Sequence, residues 1–360
     1  MSDDLIEQSA ARLFADTADK ALRQRVEEGE FPQALWQLAM DNGFGLALTT
    51  EDAGGLGQPW SAAYPVLRGL GYWQVPLPLA ETLIAGQLLS MAGIAVPEGP
   101  IALIEQGHDA ELQLSGEGAA ARLSGQARRV AWARHCGHAV ISFADGRIAL
   151  LALHQGEAVR CDPGLNHARL PADQLAFAGT AVAALAASPL PGLTAPVWTL
   201  GAIARAIMMV GALEWLLEQS VQYANDRVQF GKPIGRNQAI QQQLAMLAGD
   251  VAAARMAARV AAADAPWAGS PRADHARFSA AVAKVRVGEA ASRGAAIAHQ
   301  VHGAIGFTHE HSLHFATRRL WAWREEFGAD AWWAERLGQA AIAAGAAGFW
   351  PALTQRALPA

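Results

Sequence analysis

Two stretches of this 360-residue chain carry residue types that can grip an anionic ligand. The first is Tyr223-Ala224-Asn225-Asp226-Arg227-Val228-Gln229-Phe230-Gly231-Lys232-Pro233-Ile234. A long apolar helical run ends there in an arginine, an aromatic residue and a Gly-Lys-Pro turn. A guanidinium presents several donors in a fixed fork, so Arg227 suits a pyrophosphate, and Phe230 offers a ring face. Taken singly, the same residues read as a helix C-terminus and a core ring. The second stretch runs from His299-Gln300 to Thr308. Gln300 supplies a directional hydrogen bond there, and Gly303, Ala304 and Gly306 let a ligand approach the backbone. Further on, Glu325 and Glu326 are carboxylates that either remove a proton from a substrate or form a solvated face beside Arg324. His309, Glu310, His311 and His314 crowd one segment near His302. Their spacing matches neither HExxH nor a facial triad, so no metal site is expected. They fit a helix start with Thr308 as N-cap. Cys136 and Cys161 lack a neighbouring histidine base and read as small hydrophobes; two cysteines make no disulfide framework.

Three regions must position these groups. Residues 1–94 read as helical, with Asp3 to Glu28, a helix from Pro32 to Asn42, then Trp60 to Tyr72 and Leu79 to Met91. Between them lies a glycine-rich loop, Glu51 to Gly57, without the spacing of a dinucleotide fingerprint. Residues 95–190 carry short apolar runs (Ile101–Ile104, Ala139–Phe143, Ile148–Leu153), and Asp145-Gly146 is a hairpin signal, so a β domain is expected. Residues 191–360 turn helical after the Ser188–Pro196 linker. Ile240, Leu244, Leu247, Val251, Ala254 and Ala258 repeat at the spacing of a bundle seam, as do Phe278, Val282 and Val285, with Glu289 on the same line. Arg205 and Glu214 inside the most apolar run argue for a buried helix, not a membrane span. The expected architecture is α+β: an N-terminal α-helical domain, a middle β domain and a C-terminal four-helix bundle.

On these residues the chain resembles the acyl-CoA dehydrogenase family. The likeness is strong over Val221–Leu244 and Ala298–Arg319, fair over Asp41–Gly57 and weak through the β region. It implies FAD as cofactor, an acyl-CoA thioester as substrate, α,β-dehydrogenation as reaction and a separate electron-transfer acceptor. By resemblance, Arg227, Gln229, Phe230, Gln300, Gly303 and Ala304 contact FAD that lies mainly on a neighbouring subunit. The family's base Glu occupies one of two positions, and these fall here on Gly201 and Phe327. Glu326, one residue away, is the candidate base that remains. The flavin-facing strand motifs are reduced to Ile104-Glu105-Gln106-Gly107 and to Gly125–Trp132. The resemblance is therefore to the base-lacking subunit of heteromeric (α2β2) bacterial acyl-CoA dehydrogenases of lipid or steroid degradation, working beside a paralogous partner. The alternatives are a self-sufficient homo-oligomer with a displaced base, and a structural or regulatory subunit that binds no flavin.

Composition narrows the partners. A net charge of −5 gives no field for nucleic acid, and a signal-like leader is absent from MSDDLIEQSA, so a cytoplasmic protein bound to neither nucleic acid nor membrane is expected.

Overall fold

The computed structural model describes residues 3–270, 273 and 275–356. Five helices come first: α1 (Asp3–Thr17), α2 (Lys20–Glu27), α3 (Gln33–Asp41), α4 (Trp60–Tyr72) and α5 (Leu79–Met91). Eight strands follow: β1 (Ile101–Glu105), β2 (Ala110–Ser115), β3 (Arg122–Ala131), β4 (His138–Ser142), β5 (Arg147–Ala152), β6 (Val159–Asp162), β7 (Ala172–Ala181) and β8 (Ala184–Ala187). The remainder is α6 (Pro196–Asp226), a two-residue ribbon of β9 (Val228–Gln229) and β10 (Lys232–Pro233), then α7 (Gln238–Asp264), α8 (Ala276–His302), α9 (Leu313–Glu325) and α10 (Asp330–Gln355). The α+β architecture and its order are those expected.

The β region forms two four-stranded sheets, β1-β4-β5-β8 and β2-β3-β7-β6. The Asp145-Gly146 hairpin joins β4 and β5 in antiparallel register, and Asp145 accepts from the Arg147 backbone N–H at 3.1 Å. The sheets enclose their own apolar core. A second core runs from helices α1–α5, past Ile101, Leu103, Val140, Ile148 and Leu150 of the sheets, into helices α6–α10, which pack as one apolar mass. Its axis is α6, whose most apolar window has a mean hydropathy of 1.6, long enough to cross a membrane, with 89% of it buried inside the protein. Glycines bring α4 and α6 into backbone contact: a Cβ at Gly71 would overlap the Met208 carbonyl, and one at Gly211 would overlap that of Arg68.

The α7 seam holds from Leu247 to Ala258, while Ile240 and Leu244 are half-buried. In α8 the buried line is not Phe278–Val282–Val285, which is half-buried. It consists of Ala280, Ala283, Val287, Ala290 and Ala291. Alanine lets the helices approach closely and pushes the larger side chains to the flank. Glu289 is consequently exposed and pairs with Arg286. Thr308 is not an N-cap: its hydroxyl donates to the Ile305 carbonyl, and α9 begins after Ser312.

Candidate functional site

The first part of the site is a cavity of about 360 Å³ between the β sheets, the start of α6 and the end of α9. Leu103, Ile104, Ala127, Val130, Trp198 and Phe327 supply apolar walls, and Glu81, Glu105, Asp109, Glu325 and Glu326 are the carboxylates on it.

Glu105 closes β1 and does a capping job for another element. Helix α6 starts after Ala195 without a side-chain cap of its own. The Glu105 carboxylate accepts the Trp198 N–H at 3.0 Å and the Ser142 hydroxyl, satisfying an orphan donor of the helix from the end of β1. Burial pushes its pKa up to about 7, opposed by these hydrogen bonds. The folded chain then holds a proton on Glu105 that the unfolded chain has lost between about pH 4.5 and 7. Stability in that window falls as pH rises, by up to about 3 kcal/mol in total. Glu105→Gln is expected to remove this contribution, read as the difference between wild-type and variant urea denaturation at pH 5 and pH 8. An identical pH slope in both would contradict it.

Arg205, fully buried within α6, is neutralised from two elements: it binds Glu81 of α5, and its Nε donates to Glu326 Oε2 at 2.5 Å. These partners hold its cationic form firmly against desolvation. The other Glu326 oxygen accepts from Asn166 Nδ2 at 2.9 Å. Lys284 Nζ, buried in α8, donates to the carbonyls of Trp323 and Arg324 at 3.0 Å and of Glu326 at 2.7 Å. It thereby caps the last turn of α9. The chain then reverses through Phe327 (φ 54°) and Gly328 (φ 90°), and Trp333 Nε1 holds the Phe327 carbonyl at 3.0 Å.

This reversal drives the Phe327 ring onto Gly201. A Cβ at position 201 would stand 2.6 Å from the Cε1 and Cγ atoms of that ring. Arg205 lies 5.4 Å from the ring centroid and Trp198 meets it edge-on. Gly201 and Phe327, the two positions where the resemblance looks for a base, are thus one place in space, and an aromatic ring fills it. Gly→Ala inside a helix ordinarily stabilises by about 0.5–1 kcal/mol. Here Gly201→Ala is expected to destabilise by about 1–3 kcal/mol through overpacking, and Phe327→Ala in the same chain should recover most of it. Additive effects in thermal melts would contradict the contact.

The second part lies at the far end of the bundle. After α6, β9 and β10 pair Gln229 with Lys232, and the two residues between them both have positive φ, Phe230 at 51° and Gly231 at 78°. Such a turn matches the strand twist but is unfavourable for phenylalanine. Phe230 is nevertheless at the tip, 101% exposed. Arg227, Gln229 and Gln300 are exposed, and their side-chain polar groups have no partner among the described residues. Tyr223 stacks on His302 at 4.6 Å, tying the last turn of α6 to the last turn of α8. Arg227 and Gln300 are therefore presented at the same end, with Gly303 and Ala304 exposed beside them and open space over Gly303. No group of three or more His, Cys, Asp or Glu suited to a metal occurs among the described residues. Both cysteines are free thiols, and burial raises the pKa of Cys136 well above its usual range. The Glu51–Gly57 loop is largely exposed and does not line the cavity; Thr50, just before it, donates its N–H to Ser90 Oγ of α5 at 3.1 Å.

Residues 195–347 match the family model described as "Acyl-CoA dehydrogenase, C-terminal domain". The acyl-CoA dehydrogenase IpdE2 of Mycobacterium tuberculosis is 29% identical over 330 residues, 88% of this chain and 89% of that protein. Among solved structures, a steroid acyl-CoA dehydrogenase variant, Tcur3481-Tcur3483, superposes with a TM-score of 0.82 at 25% identity over 96% of this chain and 98% of that one. The ChsE4-ChsE5 complex of M. tuberculosis gives 0.81 at 22% identity over 95% and 97%. The chain is similar to acyl-CoA dehydrogenases over most of its length, and its residues 195–347 match that family's C-terminal domain. The likeness is to oxidoreductases of that kind.

Sequence reading did not single out Glu81, Asn166, Trp198 or Lys284. Arg205 was the one available signal, because a guanidinium inside an apolar helix requires a buried counter-charge. Its partners lie 124 residues before it and 121 after, beyond any local pattern.

Proposed function

We propose that this chain is one subunit of an FAD-dependent acyl-CoA dehydrogenase of lipid or steroid breakdown. In this reading it holds the diphosphate and adenosine part of FAD whose ring is seated on a paralogous partner subunit. The observation that carries the reading is the contrast between the two ends of the bundle. At one end a cation and an amide stand exposed and unpartnered; at the other, Phe327 occupies the base position. The donor set fits a nucleotide cofactor: Arg227 for the diphosphate, Gln300 for a directed bond, and Gly303 and Ala304 for close backbone approach. The hairpin tip, Gln229 and Phe230, extends beyond the chain's own surface, where only another molecule can cover it. The Ala127–Ala131 face of the cavity offers no hydroxyl to a ring system, in keeping with a flavin ring housed elsewhere. That the structural neighbour ChsE4-ChsE5 is a complex agrees with this reading.

When bound, FAD supplies the hydride acceptor for α,β-desaturation of the acyl-CoA thioester. This chain's residues orient the cofactor's diphosphate, and the carboxylate that takes the α-proton comes from the partner. The test is expression of the tagged chain alone and beside its paralogue. Alone it should be colourless and inactive with acyl-CoA and a dye acceptor, and together yellow and active. A yellow, active chain on its own would overturn the reading.

One observation favours a second reading, a self-sufficient enzyme with a displaced base: Glu325 lines the cavity, and so does Glu326. Both its oxygens are engaged by Arg205 and Asn166, whereas a base needs one directed at its substrate. Glu326→Gln should therefore leave turnover of the complex within a few-fold of wild type; its abolition would establish this second reading instead.

A further inference from the structure

We propose that a small monovalent anion of the chloride class binds inside this chain, between α2 and α9, on the Nε–Nη2 edge of Arg319. The site shares no residue with the proposed flavin contacts. Arg319 is 0% exposed, and neither its Nε nor its Nη2 has a hydrogen-bond partner among the described residues. Its side-chain bond runs instead from Nη1 to the Phe315 carbonyl of its own helix, at 3.2 Å. Nε and Nη2 present parallel N–H groups along one side of the guanidinium, the edge that grips an anion with two hydrogen bonds. The same edge is filled elsewhere in this chain. Arg324 donates from those two atoms to Asp330 at 2.9 and 3.1 Å, and Arg134 uses them on Asp173. At Arg319 no described carboxylate accepts from it.

The neighbouring charges deepen the deficit. Arg23 of α2 lies 5.1 Å from the centroid of the buried Phe315 ring, and Arg319 lies 5.9 Å from the same centroid. Arg23 is also buried: its Nη1 donates to the Trp73 carbonyl at 3.0 Å and to Gln74 Oε1 at 3.3 Å, while its Nε has no partner among the described residues. Glu27 is already taken, accepting from Arg318 at 2.5 Å and standing 3.9 Å from Arg169. Asp19 is exposed and caps α2 by accepting the Leu22 N–H at 2.7 Å. Burial pulls the pKa of Arg319 down to about 9; Arg23 adds to this, Glu27 opposes it and Arg318 adds again. The group is still a cation at neutral pH. A cation out of reach of water requires a counter-charge, which a neutral water molecule does not supply. Full burial limits the ligand to a small ion and shuts out a nucleotide or a thioester.

The experiment is a thermal melt of the full chain dialysed into sodium gluconate, with chloride replacing gluconate at fixed ionic strength. The wild-type melting temperature should rise with the logarithm of chloride concentration, at the slope of one ion released per chain on unfolding. Arg319→Met should lose that slope, which separates a bound ion from a general effect of the salt. A slope shared by both chains, or absent from the wild type, would overturn the site. If the variant does not fold, wild-type crystals soaked in bromide decide the matter. An anomalous peak within hydrogen-bond distance of Arg319 Nε and Nη2 would support the anion; density there without anomalous signal, or no density, would overturn it.

Discussion

Arg227→Ala is expected to strip flavin from the complex purified through this chain while leaving the fold unchanged. Arg227 follows the last residue of α6, is exposed, and makes no side-chain bond within the described residues, so the free chain loses nothing by its removal. Its effect should appear only in the assembly. A charge-assisted contact to a diphosphate contributes about 1.5–3 kcal/mol, which corresponds to FAD affinity lower by roughly 10- to 150-fold. Arg227→Lys keeps the charge but loses the fork, so its flavin retention should be intermediate. The readout is visible flavin absorbance per protein across a dilution series, beside a thermal melt of the isolated chain. Undiminished occupancy in the alanine variant would remove the arm from the cofactor site.

The second large effect is on stability. Arg205→Met leaves Glu81 and Glu326 facing an apolar side chain where a shared guanidinium had been, and both carboxylates sit in a cluster with little access to water. Breaking a buried pair in this way costs about 3–5 kcal/mol, far more than loss of an exposed pair such as Arg160–Asp162. Adding Glu81→Gln and Glu326→Gln should return most of the lost stability, because neutral amides tolerate the site without a counter-ion. Urea denaturation of the single and triple variants measures it. A single variant within 1 kcal/mol of wild type, on the order of a surface substitution, would show that the triad is not a closed ionic unit.

The order of helical, β and helical regions was legible because each has its own apolar period, and glycine, proline and aspartate mark the breaks. The turn that follows α6 was legible because Phe230, Gly231, Lys232 and Pro233 are local in sequence and need no distant partner to be recognised. The seam of α8 was misassigned for a physical reason: in an alanine-rich helix the small residues turn inward, so counting large side chains selects the flank. The interior of the cavity was closed to sequence reading, because Arg205, Glu81, Asn166 and Lys284 meet only through the tertiary fold. The coincidence of Gly201 with Phe327 was half visible. Counting along the chain located both positions, but only the reversal after α9 shows that one ring fills them together.

Hydrogen exchange on the assembled subunits addresses most directly whether this chain clasps a nucleotide bound across the boundary. The complex would be compared with its flavin present and with its flavin removed. Backbone amides of Val228–Lys232 and of Gly303–Phe307 should exchange more slowly when FAD is bound, with those lining this chain's own cavity unaffected. Protection confined to the cavity, with the arm exchanging equally in both states, would contradict the assignment.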